Sequence, residues 1–293
     1  MTHYQPGILL PVPNQARYLA FSILDRDMLR TCLAELTQLC DGKQLVVGLG
    51  QSLVSALAVD IPGLCTFPVL SNKGIVVPST PAALWCWLRG NDRGELYGLS
   101  EQLEDVLNPG FRLDDIVDAF EYKDGRDLSG YEDGTENPKG EEALEAALVT
   151  GEGPGLDGGS FVAVQQWLHD LDYFQTMSPQ QRDNTIGRHI SDNEEFDEAP
   201  ESAHVKRAAQ ESYEPPAFIL RRSMPWVEGT DAGLVFVAFG KSFNAYEAIL
   251  KRMTGSEDNI TDALIDFTRP INGAYYWCPP MQADRLDLSK LDI

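Results

Sequence analysis

Three short segments carry most of the side chains that could do chemistry. The first is Tyr122-Lys-Asp-Gly-Arg-Asp-Leu-Ser-Gly-Tyr-Glu-Asp-Gly-Thr-Glu-Asn-Pro138. Three glycines and a proline in so short a run predict an irregular loop with special backbone angles. Asp133 sits between Glu132 and Gly134, and Gly134 would let the backbone come close to something flat and bulky. On composition alone the loop reads as solvated or calcium-like rather than catalytic. The calcium reading lacks the D-x-D-x-D-G spacing and the glutamate at position twelve. The second segment is Ser202-Ala-His204-Val-Lys-Arg, which follows the acidic stretch Asp192 to Glu201. The chain has four histidines, His3, His169, His189 and His204, with no HExxH and no pair at helical spacing, so zinc is not expected. A lone histidine is more often a surface or capping residue than a ligand. The third segment is Phe218-Ile-Leu-Arg221-Arg222-Ser223-Met224-Pro225-Trp226. In a strand, Ile219, Arg221 and Ser223 share one face, and Phe218, Leu220 and Arg222 share the other. An inward arginine between covered faces needs an anion or a carboxylate, and a structural ion pair is the plain reading.

The elements that must position these residues belong to an acidic globular chain. Its 293 residues hold 23 Lys and Arg against 45 Asp and Glu, a formal net charge of −22 and a pI near 4.4. That balance argues against binding to nucleic acid or an anionic membrane, both of which need a basic surface. With 43% apolar and 23% charged residues the chain is globular, of two domains or one large one. No apolar run is long enough to span a bilayer, and the first residues lack a secretory pattern, so a cytoplasmic protein is expected. Five cysteines with no CxxC make a disulfide framework, a cysteine zinc site or a covalent c-type haem unlikely expectations, and most should act as small core hydrophobes.

Periodicity predicts a strand from Ala16 to Leu24. An amphipathic helix follows, with Leu29, Leu33, Leu36 and Leu39 on one stripe and Asp25 or Asp27 as its cap. Strands are expected at Leu45–Gly50 and Ala83–Leu88, then a helix carrying Leu96, Leu99, Leu103, Val106 and Leu107 that stops at Asn108-Pro-Gly. In the second half Ser160–Leu168 reads as a strand. Ser178, Pro179 and Gln181 form a capping box that opens a helix ending at Gly187. Strands follow at Ala217–Met224, Gly233–Gly240 and Tyr275–Cys278, with a helix carrying Phe243, Tyr246, Ile249, Leu250 and Met253 before the last. LVVGLGQSL at 45–53 aligns without a gap with VFVAFGKSF at 235–243, which suggests two related α+β halves divided between Pro138 and Gly159.

Together, DGRDLSGYEDGTENP, the isolated His204 and the Arg-x-Ser-Met-Pro strand resemble the dye-decolorizing peroxidases, most closely their compact bacterial B- or P-type branch. The likeness runs through nearly the whole chain and includes Ile186-Gly187-Arg188 and Asp266-Phe-Thr. It implies two ferredoxin-like α+β halves, 1–145 with the loop at its end and 146–293 holding the cofactor. The implied cofactor is non-covalent haem b, with His204 as the ligand of the iron and Asp266 as the carboxylate behind it. Asp133 and Arg221 are the implied catalytic pair on the opposite face. Arg188 would pair a haem propionate, and Ser223, Gly134 and Thr135 would line the cofactor. The implied reaction is peroxide heterolysis, with Asp133 moving the proton, Arg221 balancing developing charge, and an aromatic, phenolic or dye-like reductant closing the cycle. Tyr131, Trp167 and Trp226 are candidates for relaying electrons to the surface. A haem-handling protein without turnover is the alternative. The resemblance also implies a homo-oligomer, and leaves open whether the tail RLDLSKLDI docks to a protein shell or packs on its own domain.

Overall fold

A computed structural model describes residues 3–293. The first half is built from β1 (Gln15–Ile23), α1 (Leu29–Leu39), β2 (Leu45–Leu49), β3 (Leu84–Gly90), α2 (Arg93–Leu107) and β4 (Phe111–Phe120). The second uses β5 (Ser160–His169), α3 (Pro179–Ile186), α4 (His204–Arg207), β6 (Leu220–Arg221), β7 (Met224–Glu228), β8 (Asp231–Gly240), α5 (Asn244–Met253), β9 (Thr268–Pro270) and β10 (Ala274–Cys278). All pairings are antiparallel, and spatial order is the same in both halves. In the first it is β4-β1-β3-β2, and in the second β10-β5-β8-β7. Each is therefore fourth-first-third-second, the ferredoxin-like arrangement expected. The two sheets meet at two single bridges, Trp277↔Leu49 and Ala119↔Trp226.

The pleat sorts side chains to two cores. On β3, Leu84, Cys86 and Leu88 join the helices, whereas Trp85 and Trp87 face the other sheet. On β8, Val235, Val237 and Phe239 face the same inter-sheet layer. Tyr18, Trp85, Trp87, Tyr276 and Phe239 stack there at centroid distances of 5.8 to 6.3 Å. On the outer face of the second sheet Gln165, Trp167 and His169 of β5 alternate outward, with Phe236 opposite Gln165 and Leu234 opposite Trp167. That row becomes a wall of the site.

Three local expectations need correction. Helix α1 begins without a side-chain cap, because the Asp25 carboxylate accepts from the Asp27 N–H in the preceding turn. Strand β4 was not anticipated: only Phe111 and Ala119 of its ten residues are buried, so Asp114, Asp115 and Asp118 hide its period. The gapless 45–53/235–243 match pairs strands that are not equivalent. By position in the sheets, the counterpart of Val235–Gly240 is Leu84–Gly90, since both are third strands that lead into a helix. The tail packs back on the chain, but against α1 of the first half and not only on its own: Leu288 and Leu291 are buried and the Arg30 guanidinium donates to Leu291 O at 2.6 Å. Four of the five cysteines are buried, and burial pushes the Cys40 thiol up to about 12.

The capping box of α3 is present as read. Ser178 Oγ accepts from Gln181 N, Gln181 Oε1 accepts from Ser178 N, and Gly187 closes the helix in the left-handed region at φ 92°. Ser178→Ala is expected to cost about 1 kcal/mol. Urea unfolding of the two proteins at equal slope checks this.

Candidate functional site

A cavity of about 510 Å³ lies between the outer face of the second sheet and the helices that cover it. Its sheet wall carries Arg221, Phe236, Leu234, Gln165 and Trp167. Its helical wall carries His204, Val205 and Ala208, with Ile249, Leu250 and Met253 of α5. Such a volume and apolar lining suit an organic ligand well.

His204 opens the short helix α4, and its position is fixed from two sides. The turn that ends α3 presses against α4, so a Cβ on Gly187 would stand 2.3 Å from Val205 Cγ2 and 3.2 Å from Ala203 Cβ. Gly187→Ala therefore combines a clash with a positive φ, and more than about 1 kcal/mol of stability should be lost, measurable as a fall in Tm. From the other side His204 Nδ1 meets Asp262 Oδ2 at 2.8 Å. Asp262 is fully buried, and its second oxygen accepts from Leu264 N at 2.9 Å. Ala263 N donates to Ser202 O at 2.8 Å, which lashes the two segments together. With Nδ1 held, the imidazole can present only Nε2 to the cavity.

Asp266 does not fill the role expected of it. It is exposed at the end of the 3₁₀ turn Ala263–Asp266. Four residues on a helix of three per turn point about 120° away from Asp262. Asp262 was missed because nothing in Thr261-Asp-Ala-Leu-Ile marks it except its value as a helix cap.

Across the cavity Arg221 Nη1 lies 3.5 Å from Asp133 Oδ1. Asp133 Oδ1 also accepts from Gly134 N at 2.8 Å. Arg221 Nε is buried without a hydrogen-bond partner, so the guanidinium retains a donor. Its main chain is clamped by Asn137, whose Nδ2 donates to Arg221 O at 3.0 Å while its Oδ1 accepts from Arg221 N at 2.8 Å. Asn137 went unnoticed in the sequence because its neighbours already explained a turn. It also gives Gly134 a different reason from the expected one. At φ +74° a Cβ there would stand 2.9 Å from Asn137 Nδ2, so the glycine makes room for the clamp. Strand parity held for the neighbouring arginine, since Arg222 turns away and donates to Ile8 O and Leu9 O. Gly134 and Ser223 do not line the main cavity. They border a smaller one of about 180 Å³, which shares Asp133 and Arg221 with it. Thr135 does line the main cavity, and its Oγ1 accepts from Asn193 Nδ2 at 3.0 Å.

Arg188 stands at the cavity, where its guanidinium meets Glu136 at 2.7 Å, Glu195, and the Asn193 carbonyl at 2.9 Å. His169 also lines the cavity, but both its nitrogens are engaged, with Thr268 Oγ1 at 2.6 Å and Asp127 Oδ1 at 2.9 Å. Burial pushes the Asp127 carboxyl up, yet the His169 bond and charge and the Ser129 N–H together hold it below the usual range. Nothing in the strand sequence around it marks Gln165 as a cavity residue. Its Oε1 accepts from Tyr246 Oη at 2.6 Å and Trp167 Nε1 at 3.3 Å, and its Nε2 has no partner. None of the three relay candidates is at the surface: Tyr131, Trp167 and Trp226 are all buried, and Trp226 belongs to the inter-sheet core.

The model of the family described as Dyp-type peroxidase, C-terminal, matches residues 124–283, more than half of the chain. The chain belongs to the Dyp-type peroxidase family. The matched segment of this family member includes both walls of the cavity, from the loop of Asp133 to Asp262. The chain is 28% identical to the dye-decolorizing peroxidase of Rhodococcus erythropolis over 96% of its own length and 87% of the relative's. It is 29% identical to that of Mycolicibacterium paratuberculosis, over 73% of this chain but only 62% of the relative. Among solved structures it resembles DyPB from Rhodococcus jostii RHA1, with a TM-score of 0.85 at 27% identity, covering 93% of this chain and 94% of that one. A variant of that DypB solved in complex with heme gives a TM-score of 0.86 at 27% identity, with 93% and 94% covered. The dye-decolorizing protein from V. cholerae gives 0.83 at 25% identity, with 98% of each chain covered.

Proposed function

We propose that this member of the Dyp-type family is a haem b peroxidase that reduces hydrogen peroxide and oxidises aromatic, phenolic or dye-like substrates. One observation carries the reading: His204, backed by the buried Asp262, faces Asp133 and Arg221 across an apolar cavity. The residues fit haem. Among the described residues no group of three or more His, Cys, Asp or Glu could hold a metal ion, so iron ligated by His204 must bring its other ligands with it. A flat apolar macrocycle would suit the walls, and the Arg221 guanidinium, which lines the cavity beside Asp133, would offer donors there. Arg188 and Thr135 are assigned to the cofactor's polar edge. Bound there, haem supplies an iron that activates peroxide and stores oxidising equivalents for the reductant.

The rest of the work falls to side chains. Asp262 accepts from His204 Nδ1–H, fixes the tautomer and raises the basicity of Nε2. Asp133, when ionised, takes a proton from the inner oxygen of peroxide and returns it to the outer one, which leaves as water. Arg221 stabilises the negative charge that develops on that outer oxygen. Asn137 keeps Arg221 in place by its backbone. The smaller cavity beyond Asp133 and Arg221, bordered by Ser223 and Gly134, is polar enough to hold peroxide before it reacts. In this reading the halves divide in the connection between β4 and β5, before the helix Glu141–Ala147 rather than at 145/146, because that helix packs on β6 and β8 of the second half.

An absorption spectrum of the purified protein, followed by steady-state turnover with peroxide and a phenol, tests the proposal. A Soret band with turnover supports it. A Soret band without turnover favours a haem-handling protein, and absence of haem binding removes both. Asp262→Asn is expected to weaken haem retention about 10- to 100-fold, measured by transfer of haem to an excess of apomyoglobin. Among the described residues no helix is long and apolar enough to cross a membrane. Five free thiols suit a reducing compartment, so we place the protein in the cytoplasm. We also propose that the protein forms a homo-oligomer, which light scattering would measure.

A further inference from the structure

A second pocket lies beside the main cavity, and nothing in the reading above uses it. It encloses about 410 Å³ between the loop Leu128-Ser129, the helix Leu171–Thr176 and α3. Its surface is mostly polar, from Ser129, Gln175 and the charged Arg182; Leu128 and Leu171 add a smaller apolar part, with the buried Phe174 ring behind them.

Arg182 is unusual in this acidic protein. Among the described residues it makes no ion pair and no side-chain hydrogen bond, and its Nε is buried without a partner. Its guanidinium lies 5.8 Å from the centre of the Phe174 ring, which holds the group in place without neutralising it. Nearby carboxylates are already committed. Asp183 accepts from the Tyr131 hydroxyl at 2.5 Å and meets His189 Nδ1 at 2.9 Å. Asp127 accepts from Ser129 N and meets His169. A planar guanidinium with unengaged donors calls for a carboxylate, and the half-buried Leu128 and Leu171 beside it leave a small apolar surface for a flat body attached to that carboxylate.

The pocket is also next to the chemistry. Ser129 borders both it and the main cavity. Phe174 touches Tyr131 edge-on at 6.4 Å and Phe267 at 4.3 Å, and both of those residues line the main cavity. We propose that this pocket is a subsite for the reductant, and that Arg182 selects phenols bearing a carboxylate. The assignment of a reductant rests on the peroxidase reading, whereas the affinity for an aromatic carboxylate does not. Against a chain of net charge −22, an unpaired guanidinium gives such an anion one place of local attraction.

The experiment compares 4-hydroxybenzoate with its methyl ester, which keeps the phenol and removes the charge. Binding to the haem-loaded protein is measured by calorimetry at one fixed ionic strength, for wild type, Arg182→Gln and Arg182→Met. The second variant keeps an apolar stem against Phe174, and unchanged circular dichroism excludes a folding defect. The acid should bind at least about tenfold more weakly to both variants, as expected for loss of a charged hydrogen bond, and the ester's affinity should not move. KM for the acid should rise in parallel with Kd. Equal acid affinity in all three proteins overturns the subsite, and so does an equal loss for acid and ester. Turnover of the ester reports on the peroxidase reading independently: if the ester is oxidised while acid affinity ignores Arg182, the function stands and the subsite falls. If the acid depends on Arg182 and neither compound is oxidised, the binding site stands and its assignment to a reductant falls.

Discussion

Replacing His204 with Ala is expected to abolish or grossly alter the Soret band while leaving the fold intact. His204 is a part-exposed residue at the mouth of a four-residue helix, so its loss removes little packing. What it removes is the one cavity-facing imidazole whose outer nitrogen is unengaged. His169 also reaches the cavity, but Thr268 and Asp127 occupy both its nitrogens. His189 leans on Asp183 and stacks on Phe196 at 4.7 Å, away from the cavity. Parallel changes at His169 and His189 should leave the ferric spectrum alone. The measurement is haem content and absorption of each variant at equal protein concentration, with Tm as the check on folding. A His204 variant with the wild-type ferric spectrum would overturn the ligand assignment.

The second large effect is expected at the opposite wall. Asp133→Asn should retain haem and slow its reaction with peroxide on the order of 10²-fold or more, because the proton loses its carrier. Arg221→Ala should slow the same step by a similar order, through loss of an oriented donor where charge develops. The two groups share one contact, Arg221 Nη1 to Asp133 Oδ1 at 3.5 Å, so the double variant should lose less than the product of the single losses. Arg222→Ala makes the informative comparison. Its guanidinium holds the carbonyls of Ile8 and Leu9, and its removal should cost stability rather than rate. Stopped-flow rates of peroxide reaction for the four variants decide. Wild-type rates in both single variants would refute the roles.

Some of this architecture can be read directly from local chemistry. The capping box at Ser178 and the stop at Gly187 depend on residues three to nine positions apart, and they appear as read. The outward and inward parity of Arg221 and Arg222 follows from the two-residue period of a strand. What could not be read depends on partners. Asp262 is one of 45 acidic residues, and only the folded chain shows which of them stands behind His204. Asn137 looks like any turn asparagine until its carboxamide is seen paired with both backbone groups of a residue 84 positions away. The repeat failed for a related reason. Apolar strands of similar period are interchangeable in sequence, and only neighbours in the sheet reveal that 45–49 is a second strand and 235–240 a third. Strand β4 escaped because exposed aspartates cover its two buried residues.

The seam between the sheets has a bearing on how the molecule can be taken apart. Among the described residues two single bridges, Trp277↔Leu49 and Ala119↔Trp226, are all the strand pairing that joins them. The union is instead made by interleaved rings, with Tyr18, Trp85 and Trp87 from one side and Tyr276 and Phe239 from the other. It thus resembles a subunit contact within one polypeptide, held by exclusion of water and not by a shared ladder. A fragment ending before Ser160 would keep its own ladder yet expose that aromatic face, and would precipitate or seek a substitute. Its natural substitute is the complementary fragment. Mixed during refolding, the two pieces should find one another without a covalent link, and the cavity, which lies on the far face of the second sheet, should form only after they have met.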